Sequence, residues 1–204
     1  MISDNDIINI AKANNLEPAA VKAVMLVESS GNGMLLDGKP KILFEGHIFW
    51  HQLYLLGSNP NAYVLGNENI LYPTWDTTKY AGGSTPEQRG QGEWLRLEKA
   101  ELINIEAALR SASWGLFQIM GFNFHPCGFN NVNEYVTSAS ESEANQLTHF
   151  INFIKNDSGG NKYYYLQKKD WVQFAKAYNG RLYAQNKYDI ILAQKYQQSL
   201  NLNQ

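Results

Sequence analysis

The sequence predicts a mainly α protein with one small β element, folded as a single domain over residues 1–204. Three observations lead there. Apolar residues recur at helical spacing in several segments bounded by helix start and stop residues. One stretch, Asn32 to Phe44, instead carries turn punctuation followed by strand-forming residues. The chain has 204 residues, 44% of them hydrophobic, which suits one ordinary core but not comfortably two, and excludes a wholly disordered chain.

The elements follow in order. Asp4 to Asn14 reads as a short first helix. The next runs from Pro18 to about Ser30, because Pro18 suits the first helical position and Gly31 the residue just past the end. Asn32 to Phe44 contains Gly33, Gly38 and Pro40 and then Lys41-Ile42-Leu43-Phe44, a turn-rich segment or small hairpin. Glu45 to Leu56 is helical again and stops at Gly57. Ser58 to Thr85 is a loop carrying Tyr63, Tyr72, Trp75 and Tyr80, and a loop this long inside a compact domain is often functional. Pro86 to Leu109 reads as one long helix, opened by a capping box of Thr85 and Gln88 and weakened in its first half by Gly90 and Gly92. Three more helices are expected at Glu141–Asn156, Asp170–Asn179 and Ala184–Leu200, with Ser158-Gly159-Gly160 separating the first two.

Composition narrows the function. A formal net charge of -2 argues against a nucleic-acid partner. No stretch approaches the roughly 18 apolar residues that span a bilayer, so no stable membrane insertion is expected. The start, Met1 to Asp6, lacks the cationic and apolar regions of a Sec-type signal peptide. Synthesis in a cytoplasm is therefore expected, with release by another component if the protein works outside. Cys127 is the only cysteine, so neither an intrachain disulfide nor a Cys-based zinc cage can form. Aromatic residues make up 13% of the chain, with 12 Tyr, 9 Phe and 5 Trp. A core of this size does not need so many rings, and some are expected to line a cleft.

Three segments carry chemistry. In the second helix Val21, Val24, Met25 and Glu28 share one face, three of them apolar. Glu28 thus points where the core points, at the negative end of a helix, and both desolvation and that dipole raise its pKa. A carboxyl kept protonated near neutral pH suits a general acid. The plain alternative is a Glu at the rim of the stripe, reaching water. In Ser111-Ala-Ser-Trp-Gly-Leu-Phe-Gln-Ile-Met-Gly121, Ser113 and Gly115 are small enough for close approach by a ligand or another element. Gln118 sits amid Leu116, Phe117, Ile119 and Met120, and if buried needs a partner, either backbone or a sugar group. In Asp170 to Gly180, Trp171, Phe174, Ala175 and Tyr178 form a second stripe, with Tyr178 and Asn179 in the last turn beside a cleft, or simply within the core.

Val27-Glu-Ser-Ser-Gly31, Gly115-Leu-Phe-Gln-Ile119 and Ala177-Tyr-Asn-Gly180, in that order, resemble the goose-type lysozymes and soluble lytic transglycosylases. Phe117 stands where Met is usual there, and Gly180 follows Asn179 directly where Ala often intervenes. Together with Lys41-Ile-Leu-Phe-Glu-Gly-His-Ile-Phe-Trp50, these segments are similar to the phage endolysin N-acetylmuramidase family. The resemblance spans most of the chain. It implies a lysozyme-like fold with a small β-hairpin beside the cleft, no cofactor and no metal, and a peptidoglycan glycan strand as partner of a monomer. It also implies cleavage of the β-1,4 bond between N-acetylmuramic acid and N-acetylglucosamine, with Glu28 protonating the leaving oxygen. Release through a holin would fit such an endolysin, and a type VI effector or tailocin part would share the sequence features.

A hydrolase then needs water, usually steered by a second carboxylate; a lytic transglycosylase on the same scaffold needs none, because the sugar's own hydroxyl closes an anhydro ring. Glu45 is the candidate second carboxylate, at the start of a helix where negative charge is favoured, with Asp76 in reserve or capping its loop. His47 and His51 have the i, i+4 spacing of metal ligands, but Ile48 follows the first where a zinc protease needs Glu. His47 is better placed to orient Glu45 or the cleft wall, and Trp75, with Tyr72 and Tyr80, to touch sugars. A metal-dependent peptidase and a non-catalytic glycan-binding domain are the remaining rivals.

Overall fold

The computed structural model describes residues 2–29, 32–157, 161–180 and 183–203. Helix α1 (Asp4–Ala13) starts with a reciprocal cap: Ser3 Oγ accepts from Asp6 N, and the Asp6 carboxylate accepts from Ser3 N. Helix α2 (Pro18–Ser29) opens at Pro18; the proposed stop at Ser30 and Gly31 lies outside the described residues. Val21, Val24 and Met25 are buried as their spacing predicts, but so are Ala19, Ala20 and Ala23. The single stripe is therefore wider than expected, and a helix apolar on nearly every side belongs inside.

Residues 33–41 turn back on themselves: Met34 bridges Pro40, and Lys41 N donates to Gly33 O at 2.8 Å. Strand β1 (Ile42–Phe44) and helix α3 (Gly46–Leu55) follow. The loop to Thr85 holds two short 3-10 turns, Pro60–Tyr63 and Thr77–Lys79. Helix α4 (Pro86–Glu101) has the expected Thr85–Gln88 capping box. It does not reach Leu109. The Asn104 side chain accepts from Ala107 N at 2.8 Å and starts a new helix, α5 (Ile105–Arg110), because an amide there offers the backbone an alternative to continuing. Gly90 and Gly92 do not break α4. A Cβ on them would lie 2.5 Å from Leu35 Cδ2 and 2.7 Å from Ala81 Cβ, so they let two neighbouring segments come close.

Strand β2 (Ala112–Trp114) and strand β3 (Ile119–Met120) flank a 3-10 turn, Gly115–Phe117. The sheet is antiparallel in the order β1-β2-β3, with Leu43 opposite Ser113 and Ser113 opposite Met120. Helix α6 (Val132–Glu141), capped by Asn131, escaped the sequence reading, and the expected helix from Glu141 is α7 (Glu143–Asn156), capped by Ser142. Helix α8 (Lys162–Lys168) was likewise not foreseen, and Ser158-Gly159-Gly160 before it lies outside the described residues. Helix α9 (Trp171–Asn179) starts at the Asp170 cap, and α10 (Tyr188–Gln198) begins later than Ala184. Helix α2 packs against α1, α8, α10 and the 115–117 turn, which places its C-terminal end beside the sheet.

One buried ion pair pins the sheet to α4. Glu93 and Arg96 are both buried. The Glu93 carboxylate accepts from Phe44 N at 3.0 Å, Ala81 N at 2.6 Å and Arg96 Nη1 at 2.6 Å. Arg96 also donates to Phe44 O at 2.8 Å and Asn69 O at 3.1 Å. Four backbone groups from β1 and the long loop thus meet on two charged groups of α4, each largely satisfied as burial requires. No described helix is long and apolar enough to cross a membrane.

Candidate active site

Glu28 is half-buried in the last turn of α2. Burial raises its pKa above the ordinary 4.5, and a hydrogen bond from Asn179 Nδ2 to Oε1 at 3.0 Å partly opposes the rise. Glu28 lines two recesses. One, of about 360 Å³, lies toward β1 and α4; the other, of about 320 Å³, lies toward Tyr178 and Asn179. Gln118 also lines both, so the two recesses form a trench with Glu28 at its middle. Tyr178 stacks on Phe174 with ring centroids 5.6 Å apart and donates its hydroxyl to Phe117 O at 3.4 Å. Burial, reinforced by nearby Glu28, pushes its pKa well above the usual value, so it is a fixed donor and not a base.

In the 113–118 turn the protein itself, including backbone, supplies the partners of Gln118. Gln118 is exposed, not buried, and takes the left-handed conformation at φ 47°. Its amide is held by the protein: Oε1 accepts from Ser113 Oγ at 2.8 Å, and Nε2 donates to Gly115 O at 2.8 Å. Ser113 is buried beneath it. Gly115 has φ +67°, and a Cβ there would sit 2.3 Å from Gln146 Cδ. The close approach is thus made by a neighbouring side chain. Gln146, which the sequence reading missed, accepts from Leu116 N at 2.8 Å and donates to Ala139 O at 2.7 Å, fixing the turn to α6 and α7. A lone Gln at a helical position carries no sequence signal for such a role.

The second carboxylate stands apart from the first. Glu45 is the residue before α3 and does not line either recess that holds Glu28. Both its oxygens accept from Tyr80 Oη, at 3.0 and 2.9 Å. Tyr80 lines the larger recess and itself accepts from Trp75 Nε1 at 3.0 Å. The result is a chain from exposed Trp75 through Tyr80 to Glu45. Burial, with help from Glu45, pushes the Tyr80 hydroxyl up to about 12, so it stays a donor. His47 Nδ1 lies 3.4 Å from Glu45 Oε2 without hydrogen-bond geometry, and the His47 ring stacks near Tyr72. Asp76 caps its own loop, accepting from Thr78 N at 2.9 Å and Thr78 Oγ1 at 2.6 Å, bonds that hold its pKa low. Tyr72, expected to face sugars, is instead buried beside Arg96.

Glu93, on α4, lines the larger recess with Glu28, but three donors already occupy its oxygens. No group of three or more His, Cys, Asp or Glu side chains that could hold a metal occurs among the described residues, so His47 and His51 find no third ligand there. The Cys127 thiol is buried and its pKa is pushed up to about 12, which leaves it inert. A trench, one carboxyl raised by burial and an amide against that carboxyl suit acid catalysis on a chain-like substrate.

A family model described as Muramidase: N-acetylmuramidase matches residues 17–200. The fold is similar to the crystal structure of Burkholderia AP3 phage endolysin, with a TM-score of 0.85 and 35% sequence identity over 98% of this chain and 72% of that chain. No curated protein matches the sequence.

Proposed function

The chain belongs to the N-acetylmuramidase family, and from that premise we propose that Glu28 is the acid that protonates the leaving glycosidic oxygen. The protein is a peptidoglycan-hydrolysing muramidase, a glycoside hydrolase with the lysozyme-like fold. One observation carries the assignment of Glu28: it lies at the middle of the trench with its carboxyl pKa raised by burial. A glycan strand laid along the trench crosses this carboxyl, and a protonated carboxyl there can donate as oxocarbenium character develops. Asn179 suits both states of the acid. Its Nδ2 donates to the carboxylate, and after a half-turn of the amide its Oδ1 accepts from the carboxylic acid. Glu28→Gln, checked for folding, is expected to lose about 10²- to 10⁴-fold in turbidity clearance of peptidoglycan; near wild-type clearance would overturn the assignment.

The capture step is assigned to water held near Tyr80. The Tyr80 oxygen donates to Glu45 and accepts from Trp75, leaving one lone pair for a water or sugar hydroxyl. Glu45 then acts through Tyr80, as the second carboxylate of the site. A second reading, closure by the sugar's own hydroxyl to an anhydro product, is favoured by one observation: neither recess is lined by an unoccupied second carboxylate among the described residues. Product mass decides, since anhydro ends are lighter than reducing ends by one water. Glu45→Gln lowers the rate only if water is the acceptor. Ser113 and Gly115 support the floor of the trench; Gln118, Tyr178 and Trp75 line or flank the glycan path, with His47 in the first turn of α3 and Asp76 capping its loop behind it. The likeness to a phage endolysin supports action on the cell wall; our reading adds a monomer made in a cytoplasm and released through a holin.

A further inference from the structure

Two cations line the larger recess and the acid mechanism uses neither. Lys41 follows the 33–40 turn and shares the strand face of Leu43, two residues on, which also lines the recess. Arg89 comes from α4, whose residues Pro86, Arg89, Gly90 and Glu93 all line the recess at the spacing of one helix face. Among the described residues no carboxylate pairs with Lys41 or Arg89. Arg89 Nη1 donates to Gly83 O at 2.8 Å, which steadies the guanidinium and leaves its other N–H groups open. The two carboxyls in the recess are engaged elsewhere: Glu93 accepts from Arg96, and Glu28 accepts from Asn179, so neither pairs with these cations. A chain with net charge -2 has thus placed an excess of positive charge along one side of its trench.

We propose that Lys41 and Arg89 bind a carboxylate carried by the lactyl arm of the muramoyl residue, making this end of the trench a reader of substituent charge. The inference rests on the muramidase reading of the trench. The carboxylate has two sources on peptidoglycan: the lactyl group itself where the peptide has been removed, or the peptide stem attached to it. A guanidinium and an ammonium recognise either by charge-assisted hydrogen bonds.

The test uses the full chain and soluble glycan strands in four forms. These are strands with anionic stems, strands with amidated stems, strands bare with free lactyl carboxylates, and bare strands with those carboxyls amidated. Wild type is expected to show kcat/KM about tenfold higher for an anionic form than for its amidated counterpart, at low salt. Lys41→Met and Arg89→Gln should each shrink that ratio by about three- to tenfold, the range for a partly exposed charged contact. Lys41→Arg and Arg89→Lys should retain most of it. The pair of substrates that shows the ratio identifies the stem or the lactyl group as the source. Equal rates on anionic and amidated forms, or a ratio unchanged in both neutral variants, overturn the proposal. Glu28→Gln run on the same four substrates separates the two ideas: an inactive variant beside charge-independent wild-type rates sinks only the reading of Lys41 and Arg89, whereas an active variant sinks the acid.

Discussion

Removing Glu93 is expected to unfold the wall of the trench out of proportion to its place in the sequence. Glu93→Ala leaves Phe44 N and Ala81 N without their acceptor and Arg96 buried without its counter-charge. Each orphaned N–H costs about 1–3 kcal/mol, less for Ala81, which water can reach. Arg96 keeps its bonds to Phe44 O and Asn69 O, which limits the damage. The sum falls near the 3–5 kcal/mol typical of breaking a buried pair from one side. That is a large share of the 5–15 kcal/mol by which domains are stable. With a urea m-value of about 2 kcal/mol/M, the unfolding midpoint should fall by about 1.5–2.5 M. The double variant Glu93→Ala/Arg96→Ala should be less destabilised than the sum of the singles, because neither charge is then left alone. A fall below about 0.5 M, or strict additivity, would refute the reasoning and return the pair to an ordinary surface i, i+3 contact.

Three further outcomes follow from the site. Glu28 has a folded pKa raised above its ordinary 4.5, so its contribution to stability is fully present below that value and is lost as pH rises through the folded pKa; Glu28→Gln should therefore match wild type in Tm at low pH and exceed it at higher pH, while activity of wild type falls along the same limb. Gly115→Ala places a Cβ 2.3 Å from Gln146 Cδ at φ +67° and should cost at least about 1–3 kcal/mol with a parallel loss of activity, measured by thermal unfolding and turbidity; an unchanged Tm would show that the turn is looser than its packing implies. Cys127, buried with its thiol pushed up to about 12, should resist iodoacetamide in the native protein and react only on unfolding, as read by mass spectrometry.

The sequence by itself determined what depends on neighbours along the chain. Helix starts at Pro18, Thr85 and Asp170 were legible because a cap or proline acts on the next turn alone. Glu28 was legible because a carboxylate on an apolar helix face must be desolvated wherever that face goes. The break at Asn104 was not, since the same residue is tolerated in a helix or caps one, and only packing chooses. Nor could periodicity foresee α6 and α8, or that Gln118 faces out while Gln146, from a distant helix, comes to fill the space above Gly115. Tertiary structure alone decided which carboxylates share the trench with Glu28. It put Glu93 there and Glu45 behind Tyr80, because strand register and the course of a long loop set distances that spacing along the chain does not encode.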